Sequence, residues 1–274
     1  MIFVNFLKSP DPQSAGHLAY YKILRELNKV GDVVDYDDVT FYFGKQKNNR
    51  DKLIPLVTDT ISSIPFPASR AIRWNGNRIG NLPAISLGGY FPDTIYDFTH
   101  SRILYRDMPR LYIHNLDHRL FFNTQQSKFG TLIYLGKMGL RKELSKIDME
   151  RIPSQFRKNS LIMDRSWPKR ELFAKLLKSA QILISFDELS ATNIEANLCG
   201  IPTVIVLNSA SQFNEEEIRS YELPLNGIAF DFAKQLETAE QYVPNCTDNL
   251  INKSLKLESE DLKKFSEFVR STFK

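Results

Sequence analysis

Two carboxylates, Asp187 and Glu195, stand with seven residues between them in the stretch Ser185-Phe-Asp-Glu-Leu-Ser-Ala-Thr-Asn-Ile-Glu-Ala-Asn-Leu-Cys-Gly-Ile-Pro-Thr-Val-Ile-Val206. A carboxylate can accept two hydrogen bonds from a diol, and a second can face positive charge that develops on a reacting carbon. The flanking residues say where the pair sits. Gln181–Phe186 is apolar and β-rich, and Thr203–Leu207 is a continuous apolar run, the pattern of parallel strands covered on both faces. Ser190 is a natural N-cap, and Gly200-Ile-Pro202 ends the helix it starts. Asp187 then lies on the turn after a strand and Glu195 on the second turn of a helix. Backbone N–H groups at that helix start add anion-binding capacity at the C-terminal edge of a parallel sheet, where α/β proteins bind ligands.

The rest of the chain supplies elements to hold that edge. Ile2–Phe6 reads as a strand and 8–16 as a loop. His17–Val30 reads as a helix, with Leu18, Tyr21, Leu24 and Leu27 at helical spacing. Asp32–Tyr36 reads as a strand, Phe43–Lys52 as an exposed basic loop and Leu53–Ser63 as a further helix. Short strands are expected at Ala84–Leu87 and Arg110–Ile113, in a Pro- and Gly-rich region that is otherwise irregular. Thr131–Leu135 opens a second unit. Lys137–Lys146 follows as loop and helix, Leu161–Met163 as a strand and Lys169–Ser179 as an amphipathic helix. Gly227–Phe230 reads as a last strand and Glu258–Phe273 as a closing helix. Strands alternating with helices predict an α/β protein with parallel sheets. A break near 115–130 suggests a first domain over 1–125 and a second over 126–274.

The acid, seven residues, glutamate and then "A…G.P.V" pattern at 187–204 resembles the donor-binding segment of retaining glycosyltransferases of the GT-B fold, similar to the family 4-like (group 1) nucleotide-sugar transferases. Asp187 stands where the family usually has Glu, with Glu188 adjacent. The resemblance is specific over about residues 130–235 and weak over the first 125. It implies two Rossmann-like domains facing a cleft, with a reduced N-terminal, acceptor-side domain and a C-terminal donor domain. It implies Glu195 on the donor ribose and Asp187 near the donor sugar. The diphosphate would be met by the amides of Leu189 and Ser190, and by cations after Gly136. There Lys137 takes the place of the family's Arg, Lys142 has the matching spacing and Arg141 competes with it. Arg165 and Trp167 would line the base pocket. Gly16 would let the backbone approach the donor phosphates, and His17 would contact donor sugar or acceptor.

The activity implied is transfer of a sugar from a nucleotide-sugar, the co-substrate, to a saccharide or lipid-linked saccharide acceptor. Bacterial surface polysaccharide or glycoconjugate synthesis is the family's habit. No cofactor or metal is implied. A GT-B-like protein that binds a sugar nucleotide or a partner without turnover fits the same segment.

Bulk properties set limits. The chain of 274 residues is 42% hydrophobic and 25% charged, ordinary for a globular protein. A net charge of +4 is too small to argue for nucleic acid, and is compatible with an anionic nucleotide-sugar or a peripheral contact with an anionic membrane. No apolar run approaches the ~20 residues of a membrane span. The start lacks a signal-peptide pattern, and two cysteines suggest no disulfide framework, so a cytoplasmic location is expected. Phosphate-loop, dinucleotide-fingerprint and nucleophile-elbow motifs are missing. Arg70, Arg73, Trp74 and Arg78 form a basic, aromatic cluster with a possible acceptor role. His114 and His118 have metal-like composition without a third ligand.

Overall fold

The computed structural model describes residues 1–7, 15–38, 52–78, 84–136, 138, 148–163 and 169–273. They form two compact units, Met1–Asn115 with Leu255–Lys274, and Leu116–Ser254. Among them no helix is long and apolar enough to cross a membrane.

The first unit begins with β1 (Ile2–Asn5), α1 (Ala15–Leu27) and β2 (Asp32–Asp35). Next come β3 (Leu53–Thr58), β4 (Ile61–Ser63), β5 (Arg70–Asn75), β6 (Ile85–Ser86) and β7 (Thr94–Thr99). Five strands make one parallel sheet in the order β2-β1-β3-β5-β7, while β4 and β6 pair separately. The two faces follow the strand period of two. Phe3, Ile54, Leu56, Ile72, Trp74 and Phe98 pack with α1 on one face. Val4, Leu53 and Val57 meet Ile64, Phe66 and Ala68 on the other. The buried face of α1 carries Ala19, Tyr20, Ile23, Leu24 and Leu27, with Leu18 and Tyr21 at its margins. Buried polar tips are satisfied, as burial requires. The Tyr20 hydroxyl donates to Leu56 O at 2.8 Å, and Trp74 Nε1 donates to Leu111 O at 3.0 Å.

Three expectations for this unit are corrected. Leu53–Ser63 is not a helix but β3, a turn and β4. Pro55 would interrupt a helical ladder, and Leu53–Val57 is buried throughout as an interior strand should be. Strands β5 and β7 occupy a region read as largely irregular. Arg110–Ile113 makes only a bridge from Arg110 to Thr99. Leu111 N donates to Thr99 O at 2.7 Å, but the next two amides go to side chains, Tyr112 N to Asp261 Oδ2 at 3.0 Å and Ile113 N to His100 Nδ1 at 3.5 Å.

The second unit continues with β8 (Thr131–Tyr134), α2 (Ser154–Arg157), β9 (Ser160–Met163), α3 (Arg170–Ser179), β10 (Ile182–Ser185) and α4 (Ala191–Leu198). It ends with β11 (Thr203–Ile205), α5 (Glu215–Arg219), β12 (Ile228–Ala229) and α6 (Lys234–Tyr242). Its parallel sheet has the order β12-β11-β10-β8-β9. Ile133, Ile182, Ile184, Phe186, Val204 and Val206 form its core with Met138, Leu236 and Ala239.

The last helix, α7, runs Thr247–Thr272, and its residues from Leu255 onward belong to the first unit. The units divide at Asn115/Leu116 and again at Ser254/Leu255, so the last helix is shared between them. The cause is packing: Phe265, Val269 and Phe273 are buried in the core of the first sheet. Arg110 also grips Asp261 through two bonds, at 2.6 and 3.0 Å.

Candidate functional site

Numbered by their order in the chain, the strands of the second sheet lie 2-1-3-4-5, with β8 first and β10 third. Connections leave β8 and β10 in opposite directions, so the crevice between their C-terminal ends is the topological switch point, the usual ligand site of an open parallel sheet. Gly136 follows β8 and Asp187 follows β10. Gly136 has φ +54°, and a Cβ there would lie 2.3 Å from the Asp187 Cβ. Only glycine permits that approach. Asp187 is 2% exposed. Its turn is fixed by Ser185 Oγ, which accepts from Asp187 N at 3.2 Å, and by Asn193 Nδ2, which donates to Asp187 O at 2.8 Å.

Helix α4 starts and stops as its sequence dictates. Ser190 caps it, accepting from Thr192 N at 3.3 Å. At the far end Gly200 takes φ +71°, with Ile201 N donating to Ala196 O and Gly200 N to Asn197 O, a Schellman ending. The half-buried Leu189 and Ser190 amides donate to no described residue. They are therefore available donors beside Asp187. Asn193 Oδ1 is buried without a partner among the described residues. The crevice thus combines a side-chain-free approach at Gly136, a carboxylate, two amides and an unmatched acceptor. That set suits a polyhydroxylated, anionic ligand better than an apolar one.

Glu195 sits on the second turn of α4, as its spacing predicts, but it faces α3. Its carboxylate is 2% exposed, and Arg170 Nη2 donates to Oε1 at 2.5 Å. The Arg170 guanidinium also lies 4.8 Å from the Phe121 ring centroid. Burial pushes the Glu195 carboxyl above the usual carboxylate range, while Arg170 opposes this by its charge and hydrogen bond. Arg170 was not singled out from sequence. Its place at the first turn of the helix after β9 is the signal that could have found it. Glu188 is tied down as well, accepting from Gln212 N at 2.8 Å.

Lys137, Arg141, Lys142, Arg165 and Trp167 lie outside the described residues. Gly16, read as the end of a loop, and His17, read as a helix start, both lie in the first turn of α1. They belong to the first unit, where α1 follows β1. The basic, aromatic cluster is dispersed into structural roles. Arg73 makes two bonds to Asp97, at 2.6 and 2.9 Å, Arg70 donates to Thr272 O, and Trp74 is in the core. Among the described residues no group of His, Cys, Asp and Glu is placed to hold a metal ion, His114 and His118 included. Both cysteines are buried, and burial pushes the Cys199 thiol up to about 12 and that of Cys246 to about 11, so neither is a poised nucleophile. A cavity of about 500 Å³ in the first unit lies between β7 and α7, and none of the residues singled out for donor binding lines it.

No family model, curated protein or solved structure matches the chain.

Proposed function

We propose that the protein is a metal-independent glycosyltransferase that moves a sugar from a nucleotide-sugar to a saccharide or lipid-linked saccharide acceptor, its two parallel-sheet units arranged as a GT-B pair facing a cleft. The observation that supports this most is the close approach of Gly136 and Asp187 across the switch point, beside the unbonded amides of Leu189 and Ser190. In this reading the diphosphate passes over Gly136, where no side chain intervenes. The two amides and the N-terminal dipole of α4 meet its charge, and Lys137 with Lys142 or Arg141 adds cations. Asp187 faces the donor sugar. The bond from the anomeric carbon to the diphosphate oxygen breaks as the acceptor hydroxyl bonds to that carbon, and the hydroxyl proton passes to the departing diphosphate. Amides fixed in advance stabilise the departing diphosphate. Retention of configuration, and a role for His17 at the acceptor, rest on the resemblance at 187–204.

A second reading, a sugar-nucleotide-binding or partner-binding protein without turnover, is favoured by one observation. The carboxylate assigned to the ribose is already paired with Arg170 in a buried bridge. A ribose must displace or share that arginine.

A thermal-shift screen of the parent and Glu195→Gln against UDP, GDP, dTDP, CMP and ADP tests both. Gln is chosen because Ala would leave Arg170 buried beside no acceptor. One nucleotide should raise the melting temperature of the parent, with binding weakened by about 1–3 kcal/mol in the variant. No shift with any nucleotide removes the donor site. Equal shifts in both proteins remove Glu195 from it. Binding without donor turnover in the presence of saccharide acceptors favours the second reading.

A further inference from the structure

Four consecutive residues of β7, Ile95, Tyr96, Asp97 and Phe98, line the cavity of about 500 Å³ beside α7. Successive side chains of a strand point to opposite faces of its sheet, so a cavity that all four line runs along the edge of the strand. Strand β7 is the last in its sheet. Thr94 N donates to Ser69 O and His100 N to Asn75 O, so even-numbered residues bond to β5 and odd-numbered ones turn outward. Thr99 is already engaged on that outer side by an extended segment of the same chain. Its N–H donates to Pro109 O at 2.9 Å, and its carbonyl accepts from Leu111 N at 2.7 Å. The outward backbone groups of Ile95 and Asp97 bond to no described residue. The edge thus holds an extended segment at one position and leaves the two before it open. Beside these, the rings of Tyr96, Phe98 and Phe268 pack within 5.4 Å of one another, centroid to centroid, as an apolar floor.

Charge identifies the occupant. The lining holds two carboxylates, and each is bound by an arginine through two bonds: Asp97 by Arg73 and Asp261 by Arg110. Arg102 and Lys264, both exposed, add cations to the lining, and Lys264 has no partner among the described residues. Pairing of this edge with a second copy would bring the same cations together from both sides, whereas an acidic partner would neutralise them. We propose that β7 accepts an extended, acidic peptide segment of a partner protein as an added strand. The peptide backbone bonds to Ile95 and Asp97, and an acidic side chain meets Lys264 and Arg102. The proposal does not depend on the transferase reading.

The test is selection of short random peptides displayed on phage against the full chain, followed by fluorescence anisotropy of the enriched peptides. Enriched sequences should combine an acidic residue with β-branched or aromatic ones. Ile95→Pro removes an outward N–H that β5 does not use, so it should keep the sheet and weaken peptide binding about tenfold or more. Lys264→Glu, at an exposed helix position, should weaken it about fivefold and reduce its salt dependence, and it decides the matter should Ile95→Pro melt early. Failure to enrich any peptide, or enrichment without acidic residues, overturns the proposal. Binding that survives Ile95→Pro overturns strand addition and leaves a side-chain site for anions. Binding that survives Lys264→Glu overturns acidic recognition. Concentration-dependent self-association that Ile95→Pro abolishes, in place of peptide binding, would assign the edge to a second copy and overturn the proposal as well.

Discussion

The two sheets have the same strand order but differ in what joins their strands. In the second unit α3, α4 and α5 carry the chain from β9 to β10, β11 and β12 in turn. In the first, the described parts of the connections from β3 to β5 and from β5 to β7 hold only the short strands β4 and β6. The consequences differ at both the edge and the face. A helical crossover ends its preceding loop in a helix N-terminus, with amides that have no partner in the helix. That is how Leu189 and Ser190 come to offer donors at the second switch point. Short-strand crossovers supply none, and they leave the sheet in need of a cover. In the first unit α1 and the remote residues of α7 cover one face. The same strand order thus gives one unit an edge with unbonded amides and makes the other depend on the end of the chain for its core.

The sharpest probe of this contrast compares the buried arginine of each unit. Arg110→Ala leaves Asp261, 1% exposed, without its charge partner and should cost about 3–5 kcal/mol. Arg170→Ala should cost a similar amount at neutral pH, because Glu195 is equally buried. The Glu195 loss should shrink in acid. Its raised folded pKa means that the protonated form favours the fold, a contribution present below the unfolded pKa and lost as pH rises through the folded one. Denaturation of both variants at neutral and acid pH measures this, and no relief of Arg170→Ala in acid would contradict the state assigned to Glu195.

Gly136→Ala combines a positive φ with a 2.3 Å contact, so it should destabilise by about 1–3 kcal/mol and abolish any nucleotide-induced thermal shift. Gly16→Ala, exposed in the first turn of α1, should change stability by less than about 1 kcal/mol. Comparable effects at the two glycines would mean that Gly136 does not hold open the crevice. His100 tests the first unit alone. Burial lowers its pKa to about 4 from an ordinary 6.5, with Arg110 adding to the effect and Asp261 opposing it. The stability this gives is complete above pH 6.5 and is lost as pH falls from there towards 4. The loss should be on the order of 3 kcal/mol and absent in His100→Gln, as denaturant titrations across that range would show. The smallest effect is expected for Ser190→Ala, about 1 kcal/mol from a lost cap, read as faster hydrogen exchange at the start of α4.

Much of the second unit was legible because its signals are local. Ser190 caps, Gly200 ends a helix in the left-handed region, and β10 is apolar at nearly every position; each acts through neighbours in the chain. The positions of Asp187 on a turn and Glu195 on the second turn of the following helix followed from those signals. Leu53–Thr58 was misread because a short apolar run has the same composition in a strand or a helix, and burial on both faces erases the period that separates them. Strands β5 and β7 were missed for a related reason: Arg73 and Asp97, cross-strand partners in the structure, look like exposed charges in sequence. By itself the sequence determined the capped α4 segment and the parallel α/β class, since both arise from backbone preferences and side-chain polarity within a few residues. Only the tertiary structure decided that Glu195 faces Arg170, that Gly136 touches Asp187, and that α7 completes the core of the first sheet. Those are contacts between residues 25, 51 and more than 160 positions apart, chosen by packing and charge complementarity that no local pattern encodes.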